Sequence, residues 1–232
     1  MCGTVYKVAV DVTSVDLEKK EVVIDEFETI KAKRIIIATG TTPNLTGAPG
    51  EKELKGKGIS YCATCDAKYF NDKEVIVVGG GNSAVEESEF ITRYAKKLTI
   101  VHQFDKLTAN KQAQEKVFRN PKISILFDNE PRAFVREGDK IVTEVENVKT
   151  KRREKLTSDG VFIFIGMKPN INLFRDKLEL DQWGYIKTNE DMKTSIPGVY
   201  AVGDVISKKY RQITTAVADG TIAAMSIAKE LD

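Results

Sequence analysis

Two cysteines separated by two residues, Cys62 and Cys65, are the side chains with the clearest capacity for chemistry in this 232-residue sequence. A pair at this spacing closes a small disulfide, or it supplies two thiolates to a metal ion. In the first case one thiolate attacks a substrate disulfide and its partner resolves the mixed disulfide. Asp66 follows directly, and its carboxyl group suits either protonation of a departing thiolate or capping of a helix start.

The metal alternative requires further ligands, because structural zinc sites in proteins have four. Apart from the pair, only Cys2 and His102 remain among the cysteines and histidines of the sequence. A zinc site would have to recruit both from distant segments. Redox chemistry is therefore the favoured prediction, and no metal site is expected.

A glycine-rich segment follows the cysteine pair, between an apolar run at 74–78 and a helix-like run at 85–94, with a second strand at 98–102. It fits the pattern G-x-G-x-x-A, in which the first glycine makes the turn, the second admits a pyrophosphate and the alanine lets helix and strand pack closely. The helix start then offers free N–H groups to the phosphates. The predicted nucleotide-binding residues are Gly79, Gly81, Asn82, Ser83 and Ala84.

The end of the second predicted strand leaves the choice of nucleotide open. An acidic residue there would bind the ribose 2′-hydroxyl of NAD, and arginines would bind the 2′-phosphate of NADP. The sequence at 102–108 is HQFDKLT, whose tip offers neither. Asp105 is within reach of a ribose and Lys106 or Lys111 of a phosphate, so NADP and NAD both remain candidates.

The remaining elements predict an α/β protein. Alternating residues at 5–12 and 21–27 indicate half-buried antiparallel strands, and apolar runs at 33–38 and 161–165 are typical of strands covered on both faces. Segments at 123–127, 133–136 and 140–148, with a fourth around residue 155, predict an antiparallel meander. Helices are predicted at 108–119 and 213–231. The stretches 35–44 and 162–170 share one pattern: strand, glycine, then X-Pro-Asn.

Composition narrows the classes of partner. A net charge of +2 gives no electrostatic argument for nucleic acid or for an acidic membrane surface. No run approaches the roughly 18 apolar residues needed to span a bilayer, and no secretory signal precedes the first strand. Three cysteines, two in one motif, favour a cytoplasmic protein over a secreted one. The basic run at 149–155 is interpreted as a solvated hairpin turn, with a docking patch as the alternative.

Taken together, the motifs resemble the low-molecular-weight thioredoxin reductases, FAD-dependent members of the pyridine nucleotide-disulfide oxidoreductases. The matching stretches, in family order, are IIIATGTTPN, SYCATCDAKYF, VIVVGGGNSAVEE, GVFIFIGMKPN, TSIPGVYAVGDV and YRQITTAVADG. The resemblance implies two Rossmann-like nucleotide-binding domains. The flavin domain is discontinuous, at residues 1–43 and 159–232, and a pyridine-nucleotide-like domain with the redox cysteines occupies residues 44–158.

The resemblance also implies roles. FAD would pass electrons from NAD(P)H to the Cys62–Cys65 disulfide and on to thioredoxin or a thioredoxin-like protein. Cys65 would face the flavin, Cys62 would attack thioredoxin, and Asp66 would be the acid. A homodimer is expected, with large rotations between the domains. The implied flavin-binding residues are Thr39, Gly40, Gly203, Asp204, Val205, Arg211, Gln212 and Ile213.

Two departures from the family pattern qualify these expectations. The opening unit of about 30 residues that binds the ADP half of FAD is missing, which predicts an N-terminally truncated flavin domain and leaves a non-catalytic fragment or dimerisation module as an alternative. In addition, Gln103, Phe104 and Thr108 stand where NADPH-using members have arginines. Similar flavin enzymes without those arginines take electrons from ferredoxin. A ferredoxin- or flavodoxin-dependent thioredoxin reductase is therefore the alternative function, and a reductase of another disulfide acceptor would share its chemistry.

Overall fold

The computed structural model describes residues 3–231, and the chain divides into two compact units. The discontinuous unit contains the chain up to Thr42 and again from Lys168, and the inserted unit is Pro43–Met167. The sequence prediction ended the inserted domain at residue 158. The unit extends further because the strand that follows residue 158 lies inside its parallel sheet.

Fifteen strands and five α-helices make up the regular structure of residues 3–231. The strands are β1 (Val12–Asp16), β2 (Glu21–Ile24), β3 (Glu28–Lys31), β4 (Ile35–Ile37), β5 (Thr41–Pro43), β6 (Ile59–Ser60), β7 (Glu74–Val78), β8 (Lys97–Val101), β9 (Ile123–Leu126), β10 (Asn129–Glu137), β11 (Lys140–Asn147), β12 (Arg153–Ser158), β13 (Gly160–Ile163), β14 (Met167–Pro169) and β15 (Val199–Ala201). The helices are α1 (Glu51–Leu54), α2 (Ala63–Asp66), α3 (Asn82–Ile91), α4 (Lys111–Arg119) and α5 (Ile213–Leu231), with 3₁₀ helices at Ala67–Phe70 and Gly203–Val205. None of these helices is long and apolar enough to cross a membrane.

The inserted unit is built on a five-stranded parallel sheet in the order β6-β13-β7-β8-β9. Side chains of β7 alternate between its faces: Val75 and Val77 pack with α3 and α4, whereas Ile76 and Val78 pack with β10 and β11. Both faces of the sheet are therefore covered, which is why β7 and β13 are continuous apolar runs. The prediction of doubly covered strands is confirmed for both.

The predicted meander is confirmed only in part. Strands β10, β11 and β12 form an antiparallel sheet, but residues 123–127 do not belong to it. Strand β9 instead pairs in parallel with β8, with Leu98 opposite Ile123. The reason is topological: α4 carries the chain back across the sheet, so the next strand runs parallel to the previous one.

In the discontinuous unit, β1, β2 and β3 form an antiparallel sheet, and β4 pairs in parallel with β15. The strand predicted at 5–12 is wrong, because regular structure begins only at Val12. Val5 and Tyr6 are more than 80% exposed, and Ala9 has a φ of 56°, which interrupts an extended run. The prediction that residues 33–38 form a strand covered on both faces is wrong at Ile36, which is 43% exposed. The described part of the chain gives β4 a single partner strand.

The sequence pattern shared by 35–44 and 162–170 corresponds to two equivalent turns. In the inserted unit the backbone N–H of Asn44 donates to the carbonyl of Gly166 (3.0 Å), and its side-chain amide donates to that of Ile165 (3.2 Å). In the discontinuous unit Asn170 donates likewise to Gly40 (3.0 Å) and Thr39 (2.9 Å). Each asparagine thus fastens the end of a crossing segment within its own unit.

Candidate active site and cofactor sites

The cysteine pair lies at the carboxyl end of β6 and forms a disulfide, with the two Cα atoms 5.3 Å apart. Cys62 is the N-cap of α2, and its Sγ accepts a hydrogen bond from the backbone N–H of Cys65 at 3.3 Å. Cys62 is half-buried and Cys65 is exposed. Because that N–H also stabilises a thiolate, Cys62 suits the nucleophilic position.

Asp66 ends α2, and its carboxylate is held by the buried Ser60. The Ser60 hydroxyl donates to Oδ2 of Asp66 at 2.5 Å and accepts from the backbone N–H of Cys62 at 3.1 Å. Asp66 caps no helix with its side chain, since Cys62 caps α2 and the following 3₁₀ helix has no side-chain cap. The helix-cap alternative is therefore wrong. Sequence reasoning missed Ser60, whose position next to the motif gave no specific signal.

Sequence reasoning also missed a buried carboxylate that is hydrogen-bonded to Tyr61, the residue before Cys62. Glu51, the first residue of α1, is 1% exposed, yet it carries a carboxylate. Its Oε1 accepts from the hydroxyl of Tyr61 at 2.7 Å, and its Oε2 accepts from the hydroxyl of Thr46 at 2.6 Å and the N–H of Gly47 at 3.1 Å. The phenol of Tyr61 has a raised pKa, chiefly because of burial and then because of its hydrogen bond to Glu51.

The glycine segment forms the predicted turn between β7 and α3. Gly79 has a φ of 134°, and a Cβ there would overlap the carbonyl oxygen of Phe164 and lie 3.0 Å from Cβ of Ala84. Ala84 is fully buried against the strand. The predicted functions of Gly79 in the turn and of Ala84 in close packing are thus confirmed. Gly81 is open: a Cβ would meet nothing nearer than Thr108 Oγ1 at 3.7 Å.

Position 80 is unspecified in the G-x-G-x-x-A motif, yet the structure requires a glycine there. A Cβ on Gly80 would lie 2.5 Å from Cγ and Cε1 of His102, which follows β8. The imidazole is buried, packs edge-on against Phe104 and bonds to the carbonyl of Lys106 at 3.1 Å. Burial lowers the pKa of His102, so the ring is neutral at physiological pH.

These loops bound a cavity of about 600 Å³ in the inserted unit. Its walls are the glycine turn, the end of β8, the start of β10 and the segment after β13, so it lies at the carboxyl ends of parallel strands, where nucleotides bind in such sheets. Gly79, Gly81, Asn82 and Ser83 line it. Among the described residues, neither cysteine does.

Two cations, Arg132 in the wall of this cavity and Lys149 in the adjoining pocket, are paired with carboxylates. Lys149 lies 2.9 Å from Asp128 and 3.7 Å from Asp105. Arg132 lies 2.8 Å from Glu146 and 2.5 Å from Glu130. Gln103, Phe104 and Thr108, the positions that the sequence marked as uncharged, all line the cavity, and the Thr108 hydroxyl donates to the carbonyl of Gly80.

The residues predicted for the flavin are all in the discontinuous unit. Thr39 and Gly40 follow β4 and bond to Asn170, and Gly203, Asp204 and Val205 form a 3₁₀ helix after β15. Gly203 has a φ of 75°, and its N–H donates to Asp219 at 3.0 Å. Gln212 and Ile213 lie at the start of α5.

Asp204 and Arg211 show features of a ligand site. Oδ1 of Asp204 is buried and has no hydrogen-bond partner among the residues that the structure describes. Arg211 stacks on the ring of Tyr185 at 3.8 Å and donates to the carbonyls of Asp204 and Ile206. A buried acceptor of this kind normally has a donor, so Oδ1 of Asp204 is available to a hydrogen-bond donor on a ligand.

The zinc alternative receives no support from the described side chains. Within residues 3–231, no three histidine, cysteine or acidic side chains are grouped so as to hold a metal ion. Cys2, one of the ligands that the alternative required, lies outside the described residues.

Comparison with known proteins identifies the family. The model of the pyridine nucleotide-disulphide oxidoreductase family matches residues 3–220. The chain is 46% identical over 220 residues to the 34.2 kDa protein in the rubredoxin operon of Clostridium pasteurianum, covering 94% of this chain and 71% of that protein. It is 44% identical over 235 residues to thioredoxin reductase of Peptoclostridium acidaminophilum, covering 97% of this chain and 74% of that protein.

Solved structures agree with the sequence comparison. The crystal structure of thioredoxin reductase from Streptococcus pyogenes matches with a TM-score of 0.86 and 40% identity, covering 96% of this chain and 73% of that one. Thioredoxin reductase from Giardia duodenalis matches with a TM-score of 0.84 and 33% identity, covering 96% of this chain and 74% of that one. The predicted resemblance and the predicted α/β class are confirmed. The chain belongs to the pyridine nucleotide-disulphide oxidoreductase family and is of its thioredoxin reductase type.

Proposed function

We propose that this chain is a flavin-dependent thioredoxin-disulfide reductase in which Cys62 and Cys65 are the redox-active pair. The observation that carries the proposal is the disulfide at the start of α2, whose Cys65 is exposed and whose neighbour Asp66 is oriented by Ser60. A disulfide so placed in a member of this family is suited to exchange with a second protein rather than to structural reinforcement.

The exchange uses the chain's own residues in two steps. Cys62 gives its proton to the Asp66 carboxylate and, as a thiolate stabilised by the Cys65 N–H, attacks one sulfur of the thioredoxin disulfide. Asp66 then passes that proton to the thioredoxin thiolate that departs. Cys65 next loses its proton and attacks the Cys62 sulfur, so that the second thioredoxin sulfur leaves as a thiolate, takes up that proton, and the Cys62–Cys65 disulfide forms again. Two electrons pass from the cysteine pair to thioredoxin.

The discontinuous unit supplies residues that fit a flavin. The buried, unpartnered Oδ1 of Asp204 suits a flavin-chain hydroxyl, and Gly203, Val205, Arg211, Gln212 and Ile213 flank it in sequence. Thr39 and Gly40 complete the proposed set. FAD, when bound, supplies the electrons that reduce the disulfide. In this proposal the discontinuous unit is the flavin domain and the inserted unit, Pro43–Met167, is the pyridine-nucleotide-like domain.

Serine variants test the assignment of the two cysteines. The assay measures the formation of reduced thioredoxin. Cys65→Ser should lose turnover and accumulate a mixed disulfide between Cys62 and thioredoxin, because the resolving thiol is missing. Cys62→Ser should lose turnover without that adduct. Turnover that persists in either variant, measured with full-length chain and added FAD, contradicts the assignment of the pair. No turnover by the parent chain under the same conditions leaves a non-catalytic module as the better description.

A second candidate concerns the electron donor. The cavity at the glycine turn favours a nicotinamide nucleotide, either NADP or NAD. The alternative is a ferredoxin or flavodoxin donor. It is supported by Gln103, Phe104 and Thr108, which offer no cation for a 2′-phosphate, and by Arg132 in the cavity wall, whose guanidinium is engaged by carboxylates. Anaerobic assays with NADPH, NADH and reduced ferredoxin in parallel decide between them: the donor that alone supports thioredoxin reduction is the physiological class.

Two finer statements complete the proposal. A cytoplasmic location is supported by the sparse cysteine usage, because reducing compartments preserve exchangeable pairs of this kind. A homodimer is supported by the family resemblance. Light scattering on the purified protein tests the second statement, and a monomer mass would contradict it.

A further inference from the structure

The buried carboxylate of Glu51 is the strongest feature of the inserted unit that the proposed exchange leaves unused. Burial of an ionised carboxylate is costly unless its oxygens accept hydrogen bonds. Glu51 accepts three, from Tyr61, Thr46 and Gly47, and the described residues place no lysine, arginine or histidine within ion-pair distance. The charge is therefore held by neutral donors alone.

The position of Glu51 is rigidly supported. Gly50, immediately before it, has a φ of 85°, and a Cβ there would overlap the backbone carbonyl of Phe134 in β10. The N–H of Phe134 donates in turn to the carbonyl of Pro49 at 2.9 Å. The start of α1 thus packs closely against β10, and this contact fixes the position of the Glu51 carboxylate.

Tyr61 connects Glu51 to the redox pair. It lies between Ser60, the last residue of β6, and Cys62, the N-cap of α2. Its hydroxyl reaches Glu51, and its ring lies 5.6 Å from the Lys55 ammonium. Since the pKa of Tyr61 is raised, the phenol remains a donor throughout the working pH range.

We propose that Glu51 and Tyr61 are positioning residues that hold the cysteine loop in its closed geometry and so stabilise the Cys62–Cys65 disulfide over the dithiol. Anchoring the residue next to Cys62 restricts the reduced loop, so closing the disulfide costs less conformational entropy. The inference rests on the proposed redox function of the pair, and its test requires no thioredoxin.

The equilibrium with glutathione measures the effect directly. In that exchange the two cysteine thiols give two electrons and two protons to glutathione disulfide. A sulfur–sulfur bond forms between Cys62 and Cys65, the glutathione disulfide breaks, and two glutathione thiols are released. Full-length protein is equilibrated in graded glutathione buffers at constant pH, quenched in acid and alkylated, and the oxidised fraction is read by mass.

Two variants and two matched controls are compared with the parent protein. Two variants alter the Tyr61–Glu51 hydrogen bond, here called the clamp: Tyr61→Phe removes its donor, and Glu51→Gln replaces its charged acceptor with a neutral amide. Tyr69→Phe removes a hydroxyl from an exposed tyrosine nearby, and Glu53→Gln neutralises an exposed carboxylate in the same helix. We expect about a tenfold lower equilibrium constant for disulfide formation in each clamp variant, which is about 30 mV in potential, and less than a twofold change in each control.

The combined variant sharpens the result. Because Tyr61→Phe already removes the hydrogen bond that Glu51→Gln weakens, the combined variant should lie within twofold of Tyr61→Phe alone. Tyr61→Phe decides the outcome if Glu51→Gln does not fold, since phenylalanine keeps the ring. A Tyr61→Phe constant within twofold of the parent, or an equal loss in Tyr69→Phe, overturns the proposal. Failure to reduce thioredoxin would instead count against the proposed function and leave this equilibrium measurable.

Discussion

Replacing Gly80 with alanine tests the geometry of the nucleotide cavity most directly. The new Cβ would lie 2.5 Å from two carbon atoms of the His102 ring, roughly 1 Å inside the normal contact distance of about 3.5–4 Å. The ring cannot yield easily, because it is buried, packs against Phe104 and is bonded to the Lys106 carbonyl. Overpacking of this kind costs about 1–3 kcal/mol, and loss of the hydrogen bond adds about 1 kcal/mol. We therefore expect the free energy of unfolding of the inserted unit to fall by about 2–4 kcal/mol.

Gly81→Ala is the matched control. Gly81 has a φ of −85°, and its added Cβ would meet only Thr108 Oγ1, at 3.7 Å. That substitution should change stability by less than about 0.5 kcal/mol. The sole tryptophan of the chain, Trp183, lies in the discontinuous unit, so global fluorescence would report the wrong unit. Hydrogen exchange of β7 and α3 amides, followed by mass spectrometry, gives the local opening free energy.

His102→Ala completes a double-mutant cycle with Gly80→Ala. With the ring removed, the alanine at position 80 no longer meets an obstacle, so Gly80→Ala should cost less than about 0.5 kcal/mol in that background. The coupling between the two sites would then be about 2 kcal/mol. Equal exchange in the Gly80→Ala and Gly81→Ala proteins, or purely additive losses in the double variant, would refute the reasoning.

Three further outcomes follow from the same contacts. Asp66→Asn should preserve the disulfide but lower the rate of thioredoxin reduction by about 10²–10⁴, the usual contribution of a general acid, and an unchanged rate in stopped-flow assays would exclude that role. Glu230 has its pKa lowered to about 2, first by the hydrogen bond from Lys193 and then by that from Arg34. The stability that Glu230 contributes is therefore complete above about pH 4.5 and is lost as the pH falls towards 2. Glu230→Gln should make the melting temperature less dependent on pH in that range, whereas Glu190→Gln, at an exposed position, should not. Gly203→Ala forces an alanine to a φ of 75° and should cost about 1 kcal/mol, seen as a lower melting temperature.

The sequence predicted best where the local pattern and the tertiary environment agree. The glycine turn was predicted from its local spacing, and the tertiary contact of Gly79 with the Phe164 carbonyl agrees with that pattern. The apolar runs of β7 and β13 are covered on both faces, as continuous apolar composition indicates. Helix α5 begins and ends where the sequence placed it, at Ile213 and Leu231.

Predictions failed where pairing partners decide the structure. Residues 5–11 alternate like a strand, but a strand requires a neighbour, and the described chain provides none there. The segment 123–127 has the same apolar pattern in either sheet, so composition could not distinguish parallel from antiparallel pairing. Glu51 and Ser60 were missed for a related reason. Their importance comes from hydrogen bonds to residues several positions away, and no local spacing predicts these.

The arrangement of the inserted unit follows from one property of parallel sheets: all carboxyl ends meet at the same edge. The cysteine loop follows β6, the glycine turn follows β7, His102 follows β8, and Phe164 follows β13. One edge therefore carries both the dithiol and the nucleotide cavity, although the cysteines do not line that cavity. The residues proposed for the flavin stand on a different core, in the discontinuous unit. Because each set is supported by its own core, substitutions such as Gly80→Ala should leave Asp204 and Arg211 undisturbed, and the thiol equilibrium can be measured without reference to the flavin.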